Sequence, residues 1–204
     1  MAATVIEESD RLVGTINIML EIAQADSGTA ELSRECVDLQ ELVSNARDLL
    51  LPVAEDKNIH LELDIPGEPI VILGDRARLQ RVIANLLDNA IKFTPSGGRV
   101  MILARSDASW AIITVTDTGV GIDGKDLPRI FNRFFRSEKS RSTPGNGLGL
   151  SLARSLARAH GGDITAKSSL GKGSVFCVSL QLPSPPRIRP FSRLPNGNLR
   201  VIPP

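Results

Sequence analysis

Arg76-Ala77-Arg78-Leu79-Gln80-Arg81-Val82-Ile83-Ala84-Asn85-Leu86-Leu87-Asp88-Asn89-Ala90-Ile91-Lys92-Phe93 is the most regular stretch of the chain. Leu79, Val82, Ile83, Leu86, Leu87, Ala90 and Ile91 recur at steps of three and four, the spacing of one helical face. Arg78, Arg81, Asn85, Asp88, Asn89 and Lys92 share the other side. Thr94-Pro95-Ser96-Gly97-Gly98 ends the helix. Two asparagines on an otherwise strong helix former cost propensity, so this polar stripe reads as a site rather than as a solvated face.

Alternation replaces helical periodicity on either side. His60-Leu61-Glu62-Leu63-Asp64-Ile65 predicts a strand with Leu61, Leu63 and Ile65 inward, and Ile70-Val71-Ile72-Leu73 a short, more buried one. Before them, Asp38 followed by Glu41 has the form of a capping box. A helix then runs with Leu39, Leu42, Val43, Ala46, Leu50 and Val53 on one face and a kink or late break at Pro52. After the central helix come strands at 100–104 and 111–116, the second entering Asp117-Thr118-Gly119-Val120-Gly121. Residues 122–147 are polar and interrupted, with one helical piece around Leu127 to Phe135. A stretch this long with little regular structure reads as a functional lid. A helix over Gly149 to His160 and strands at 163–167 and 174–182 complete the pattern. Residues 183–204 hold seven of thirteen prolines, four arginines and no acid. They are expected to be disordered or a remnant of expression.

Residues 5–25 read as one more helix. Val5, Ser9, Leu12, Ile16, Met19 and Ala23 form its stripe, widened by Val13 and Leu20, and Asp26-Ser27-Gly28 stops it. The pattern alone fits two arrangements: a helix packed on its own domain, or one strand of a dimeric bundle with that stripe as seam.

Composition bounds the function. The chain has 204 residues, 42% apolar and 23% charged, the balance of a folded soluble protein. No apolar run reaches the roughly 18 residues a spanning helix needs, and the first residues do not read as a secretory signal. A net charge of +1, with six Phe, one Trp and no Tyr, argues against nucleic acid as a partner. Cys36 and Cys177 form no metal spacing or disulfide framework, so a reducing, cytoplasmic setting is expected. Residues 1–41 carry nine acids against two arginines, which leaves the rest of the chain basic and implies two parts with different jobs.

Glycine marks two possible anion-binding places, Gly119 and Gly121 after a strand and Gly145, Gly147 and Gly149 before a helix. Neither is a dinucleotide fingerprint, and Gly171-Lys172-Gly173-Ser174 lacks the Walker order. Signatures of eukaryotic-type protein kinases are absent. Taken singly, each cluster is a turn as readily as a site.

Together they resemble a known set. Asn85-Leu86-Leu87-Asp88-Asn89-Ala90-Ile91-Lys92-Phe93-Thr94-Pro95 looks like the N box of the sensor histidine kinases, and Asp117-Thr118-Gly119-Val120-Gly121-Ile122 their G1 box. Ile130-Phe131-Asn132-Arg133-Phe134-Phe135-Arg136 resembles the F box, and Gly145-Asn146-Gly147-Leu148-Gly149-Leu150 the G2 box. The boxes come in family order, and the resemblance covers roughly residues 5–183.

That resemblance implies an α+β fold, a two-layer sandwich of the Bergerat (GHKL ATPase) type preceded by an amphipathic bundle helix. It divides the chain into residues 1–28, the second helix of a dimerisation and phosphotransfer hairpin; 29–183, a catalytic ATP-binding domain with its lid at about 122–147; and the tail 184–204. It implies ATP and Mg²⁺ as cofactors, with Asn85 the first and Asn89 the second metal ligand, as suits a hard cation that prefers oxygen. Lys92 meets phosphate charge, Asp117 accepts from the adenine amino group, Gly119 and Gly121 leave room for the purine, and Ile122 is a further nucleotide-binding residue. Gly145, Gly147, Leu148 and Gly149 offer backbone N–H groups to phosphates. Arg133 and Arg136 reach the γ-phosphate from the lid. Phe131 and Phe134 latch the lid by packing.

The implied partners are a response regulator and, in the full-length protein, a second copy of the chain, with any membrane contact through upstream segments. The hairpin's first helix and its histidine are missing, and neither His60 nor His160 has the family's context. The fragment is therefore not expected to phosphorylate itself. A hydrolysing clamp or serine kinase of the same fold is disfavoured, because those enzymes use an acid where Asn85 stands. A nucleotide-sensing module remains the rival from another class.

Overall fold

The computed structural model describes residues 2–65, 67–138, 145–183, 191–193 and 199–201. Five strands form a mixed sheet in the order β2-β4-β5-β7-β6, with β2 (His60–Asp64), β4 (Arg99–Ser106), β5 (Trp110–Asp117), β6 (Asp163–Ser168) and β7 (Ser174–Gln181). The β2–β4 pair is parallel; the others are antiparallel. Val100, Ile102 and Ala104 of β4, Ala111, Ile113 and Val115 of β5, and Phe176, Val178 and Leu180 of β7 are buried on one face. Their sequence neighbours point to the other face and stay part-exposed, the period-2 signature of a sheet covered on one side. Helices α2 (Leu39–Asp56), α3 (Arg76–Phe93) and α4 (Gly149–Ala159) supply the cover, giving two layers.

Helix α3 matches its sequence bounds, and its seven expected apolar residues are all buried. Asp75 caps it, accepting from Arg78 N at 3.1 Å. The Asp75 N–H in turn donates to His160 Nε2 at 3.0 Å, while His160 Nδ1 lies 2.8 Å from the Leu156 carbonyl. Both ring nitrogens are thus engaged, and the imidazole is neutral with its proton on Nδ1. At its other end Lys57 donates to the carbonyls of Ile91 and Lys92, both at 2.7 Å, closing orphan acceptors of the last turn.

Four local expectations need correction. Strand β1 (Glu35–Asp38), absent from the sequence reading, pairs antiparallel with β3 (Val71–Gly74) in a separate two-stranded sheet. Because that ribbon is covered on one side only, Ile70 and Ile72 are buried while Val71 and Leu73 are largely exposed, so β3 is not the more buried strand expected. Helix α2 runs through Pro52, which lies on an exposed turn where the carbonyl it leaves unpaired can face water, and Ala54 rather than Val53 takes the last inward position. The helical piece expected over Leu127 to Phe135 shrinks to a 3₁₀ turn, Leu127–Arg129.

Helix α1 (Ala2–Asp26) presents two apolar faces. Ile22 and Ala25 are buried and Ile18 packs against the core, bringing the helix onto α4, with Glu21 paired to Arg81 of α3. The stripe legible in the sequence is the other one: Leu12 (57% exposed), Val13, Ile16, Met19 and Leu20 (56%) face outward. In the tail, β8 (Phe191–Arg193) pairs antiparallel with β9 (Leu199–Val201), regular structure where none was expected. The rest of 184–204 lies outside the described residues. Among the described residues no helix is long and apolar enough to cross a membrane.

Candidate functional site

One end of the two-layer sandwich opens into a cavity of about 970 Å³. Helix α3 contributes Asn85, Asp88, Asn89, Lys92 and Phe93; β5 ends in it at Asp117; β7 begins in it at Ser174. Most residues from Val120 to Glu138 other than Phe131 form one wall, and Gly145, Asn146, Gly147, Gly149 and Leu150 form another. A smaller cleft of about 480 Å³ beside Glu35, Asp75 and Arg76 contains none of the glycine-rich residues and neither Asn85 nor Asn89. Its charges pair internally, with Arg76 held by Glu35 and Glu41.

Asparagine orientation is set by the helix itself. Asn85 Nδ2 donates to the Arg81 carbonyl and Asn89 Nδ2 to the Asn85 carbonyl, both at 2.8 Å. With the amide nitrogens bonded one turn back, the oxygens are left as the outward-facing acceptors. A Cβ built on Gly149 would lie 2.8 Å from Asn85 Oδ1, so a side chain at the start of α4 would displace this oxygen. One on Gly145 would lie 2.9 Å from Lys92 Nζ. The glycine-rich run and the α3 stripe are therefore in contact. No cluster of three His, Cys, Asp or Glu suited to a metal occurs among the described residues.

Asp117 is 5% exposed. Burial raises its pKa above the ordinary carboxylate value, against hydrogen bonds from the Gly119 N–H (2.8 Å) and from Ser174. Gly121 has φ +66°, and a Cβ there would sit 2.0 Å from the Ser169 carbonyl oxygen, so only glycine lets the two loops cross here.

Across the cavity, Phe134 adopts φ +60°, an outlier for a bulky residue that costs on the order of 1–3 kcal/mol and marks a segment held by its surroundings. Arg136 Nη1 donates to the Gly145 carbonyl at 2.8 Å, joining the two arms of the loop. Arg133 reaches the last turn of α1 and donates to Asp26 at 2.5 Å.

Residues 74–184 match the model of the family described as histidine kinase-, DNA gyrase B-, and HSP90-like ATPase. The chain belongs to that family. Its ATP-binding catalytic domain is of the sensor histidine kinase kind. Sensor histidine kinase RppB of Synechocystis sp. is 39% identical over 189 residues, which is 91% of this chain and 41% of that protein. Sensor histidine kinase MtrB of Mycobacterium tuberculosis is 37% identical over 87% of this chain and 31% of its own length. Among solved structures, full-length ShkA in complex with AMPPNP superposes with a TM-score of 0.78 at 28% identity, covering 92% of this chain and 39% of that one. The mycobacterial sensor histidine kinase MprB matches with a TM-score of 0.63 at 31% identity, over 74% of this chain and 99% of that one. The chain thus spans less than half the length of the curated relatives it matches.

Within this histidine kinase-like domain, Asn85, Asn89, Lys92, Asp117, Gly121, Ile122, Arg133, Arg136, Gly145, Gly147 and Gly149 all line the one cavity. Two other residues singled out from sequence stand behind its wall. Gly119 is wedged against the Phe93 carbonyl, and the Leu148 side chain is buried in the core with its N–H on Asn146 Oδ1. The Ile122 N–H is likewise taken, by Ser168 Oγ at 2.8 Å. Sequence reading missed Asp88, Ser174 and Phe176 as cavity residues. Asp88 was legible in principle, three residues after Asn85 on the same face. Ser174 and Phe176 enter through strand register, Asp117 opposite Ser174, which no local pattern encodes.

Proposed function

We propose that the cavity binds Mg²⁺-ATP with the adenine at Asp117 and the phosphates between α3 and the Gly145–Gly149 run. The supporting observation is that contact: the Asn85 amide oxygen and the Lys92 ammonium each meet the glycine-rich run, in a cavity that Asn89 and the buried Asp117 carboxylate also line. Asn85, seconded by Asn89, would hold the cation, since amide oxygens freed by backward-bonded nitrogens suit a hard ion. When bound, Mg²⁺ neutralises phosphate charge in transfer. Lys92, Arg133 and Arg136 add positive charge to that end, and Gly145, Gly147 and Gly149 permit close backbone approach. Gly119, Ile122 and Leu148 shape the walls.

The domain then acts as a protein histidine kinase. An imidazole nitrogen of a histidine attacks the γ-phosphorus, the bond to the β-phosphate oxygen breaks, and ADP leaves. The acceptor is a histidine on a partner helix, because His160 has both nitrogens engaged and His60 opens strand β2. Residues 1–28 serve as the second helix of a dimerisation hairpin, 29–183 as the catalytic domain with residues 122–147 as lid. The outward stripe of α1 is the seam with a second copy, and a response regulator receives the phosphoryl group. A nucleotide-sensing module is the alternative, favoured because His160 is engaged at both nitrogens and His60 stands on strand β2 without lining the cavity.

Calorimetry of ATP with and without Mg²⁺ tests the site. Binding should be lost in Asp117→Ala and its magnesium dependence lost in Asn85→Ala, whereas equal binding in all three proteins would remove the assignment. Transfer of labelled γ-phosphate to a separate hairpin bearing a histidine separates kinase from sensor.

A further inference from the structure

Outside the cavity, one arginine joins the lid to the helix beneath it. The Arg154 guanidinium lies over the Phe131 ring, 4.6 Å from its centroid. Its edge is committed elsewhere: Nε donates to Asp163 Oδ1 at 2.8 Å and Nη2 to Oδ2 at 3.1 Å. Asp163 opens β6, and its carboxylate also accepts from the Ile164 N–H. Arg154, ahead of Arg158, holds that carboxyl well below its ordinary range. A planar fork locked along one edge has no freedom to turn its face away from the ring.

Arg158 makes a useful contrast. It bonds the same carboxylate at 3.1 and 3.3 Å, but its side chain is 56% exposed against 29% for Arg154, and only Arg154 has the ring contact.

Phe131 opens the segment that carries Arg133, Phe134 and Arg136 on the cavity wall, yet packs against the core and does not line the cavity itself. Residues 131–136 contain no helix or strand and include the strained Phe134 backbone, so their position depends on anchors. Arg154 sits on α4, the helix whose first residue abuts Asn85.

We propose that Arg154 is a positioning residue: clamped by Asp163, it holds Phe131 and thereby sets where the lid arm stands relative to the phosphate end of the cavity. The proposal rests on the nucleotide reading for its effect on affinity, but not for its effect on the lid.

The test compares the parent, Arg154→Leu, Arg158→Leu, Phe131→Leu and the Arg154→Leu/Phe131→Leu pair. Mg²⁺-ATP affinity is read by calorimetry, and amide hydrogen exchange over 129–136 is read without nucleotide. Arg154→Leu and Phe131→Leu should each weaken binding roughly three- to ten-fold, the pair no more than the worse single change, and Arg158→Leu less than about two-fold. Exchange over 129–136 should quicken in Arg154→Leu and not in Arg158→Leu. Equal losses for the two arginines, additive losses for the pair, or parent-like exchange in Arg154→Leu would each overturn the proposal. A parent that binds no nucleotide defeats the nucleotide reading alone, and the exchange measurement still decides the clamp. If Arg154→Leu does not fold, Arg154→Lys retains a charge for Asp163 without the flat face. Exchange as slow as the parent's in that variant overturns the proposal too.

Discussion

Gly149→Ala separates the stability of this domain from its binding site. Gly149 is the first residue of α4, and its Cβ would stand 2.8 Å from Asn85 Oδ1, inside the 3.4 Å at which ordinary contact begins. The atom it meets is the end of a side chain, so Asn85 rotates away and gives up its 2.8 Å bond to the Arg81 carbonyl. That loss costs about 1 kcal/mol. Alanine offsets it by up to about 1 kcal/mol through helix propensity, less at a first-turn position. Net stability should therefore change by less than about 1 kcal/mol, a melting shift of no more than roughly 4 °C for a domain this size. Binding should not be spared. If Asn85 holds the cation as proposed, moving its oxygen out of place should weaken Mg²⁺-ATP binding about 10- to 100-fold, the scale of misoriented ligands at other metal sites. ATP without magnesium should bind nearly as it does to the parent. Calorimetry in both conditions, alongside a thermal melt, gives the answer. A variant that melts like the parent and binds Mg²⁺-ATP within two-fold of it would refute the placement of Asn85 at the cation.

Replacing His160 tests the α3–α4 interlock. Burial, helped slightly by Arg34 and Arg78, lowers the imidazole pKa against the Leu156 carbonyl and Asp75, which raise it. The neutral ring's contribution is thus complete above the ordinary value near 6.5 and fades as pH falls through the lowered one. Urea midpoints from pH 8 to 5 should fall in the parent and fall less in His160→Phe, which should be about 1–3 kcal/mol weaker at pH 8 for its unpaired Asp75 N–H; parallel curves would argue against it. Lys57→Met should cost roughly 2 kcal/mol by uncovering the Ile91 and Lys92 carbonyls, read as a lower denaturation midpoint, and an unchanged midpoint would show that water takes over. Asp26→Ala removes a half-exposed partner of Arg133, so stability should move by less than about 1 kcal/mol in the same assay. If Arg133 meets phosphate, Mg²⁺-ATP affinity in Asp26→Ala should hold or rise; a clear fall would assign the pair to keeping the lid in place.

The residues themselves determined the elements with one strong periodicity. Helix α3 could be read to the residue because seven apolar positions at helical spacing leave no other arrangement of core and site. The alternating strands β4, β5 and β7 were legible for the same reason, and the four boxes carried the family. Weak or mixed signals failed where another part of the chain decides. Four residues of β1 become a strand only because β3 lies alongside, and β3 is half exposed because nothing among the described residues covers its second face. The sequence stripe of α1 is real, yet the face that docks on α4 is the quieter one, Ile18, Ile22 and Ala25, selected by the complementary helix surface. So too for the site: residue types and order name Asn85, Lys92 and Asp117, but contacts between distant segments are tertiary. That Gly149 abuts Asn85, that Ser174 stands opposite Asp117 and that Arg154 holds Phe131 follow from strand register and helix packing. Local sequence determines conformation through bonds a few residues apart, while the cavity is made by surfaces that meet only once the sheet and its helices are in place.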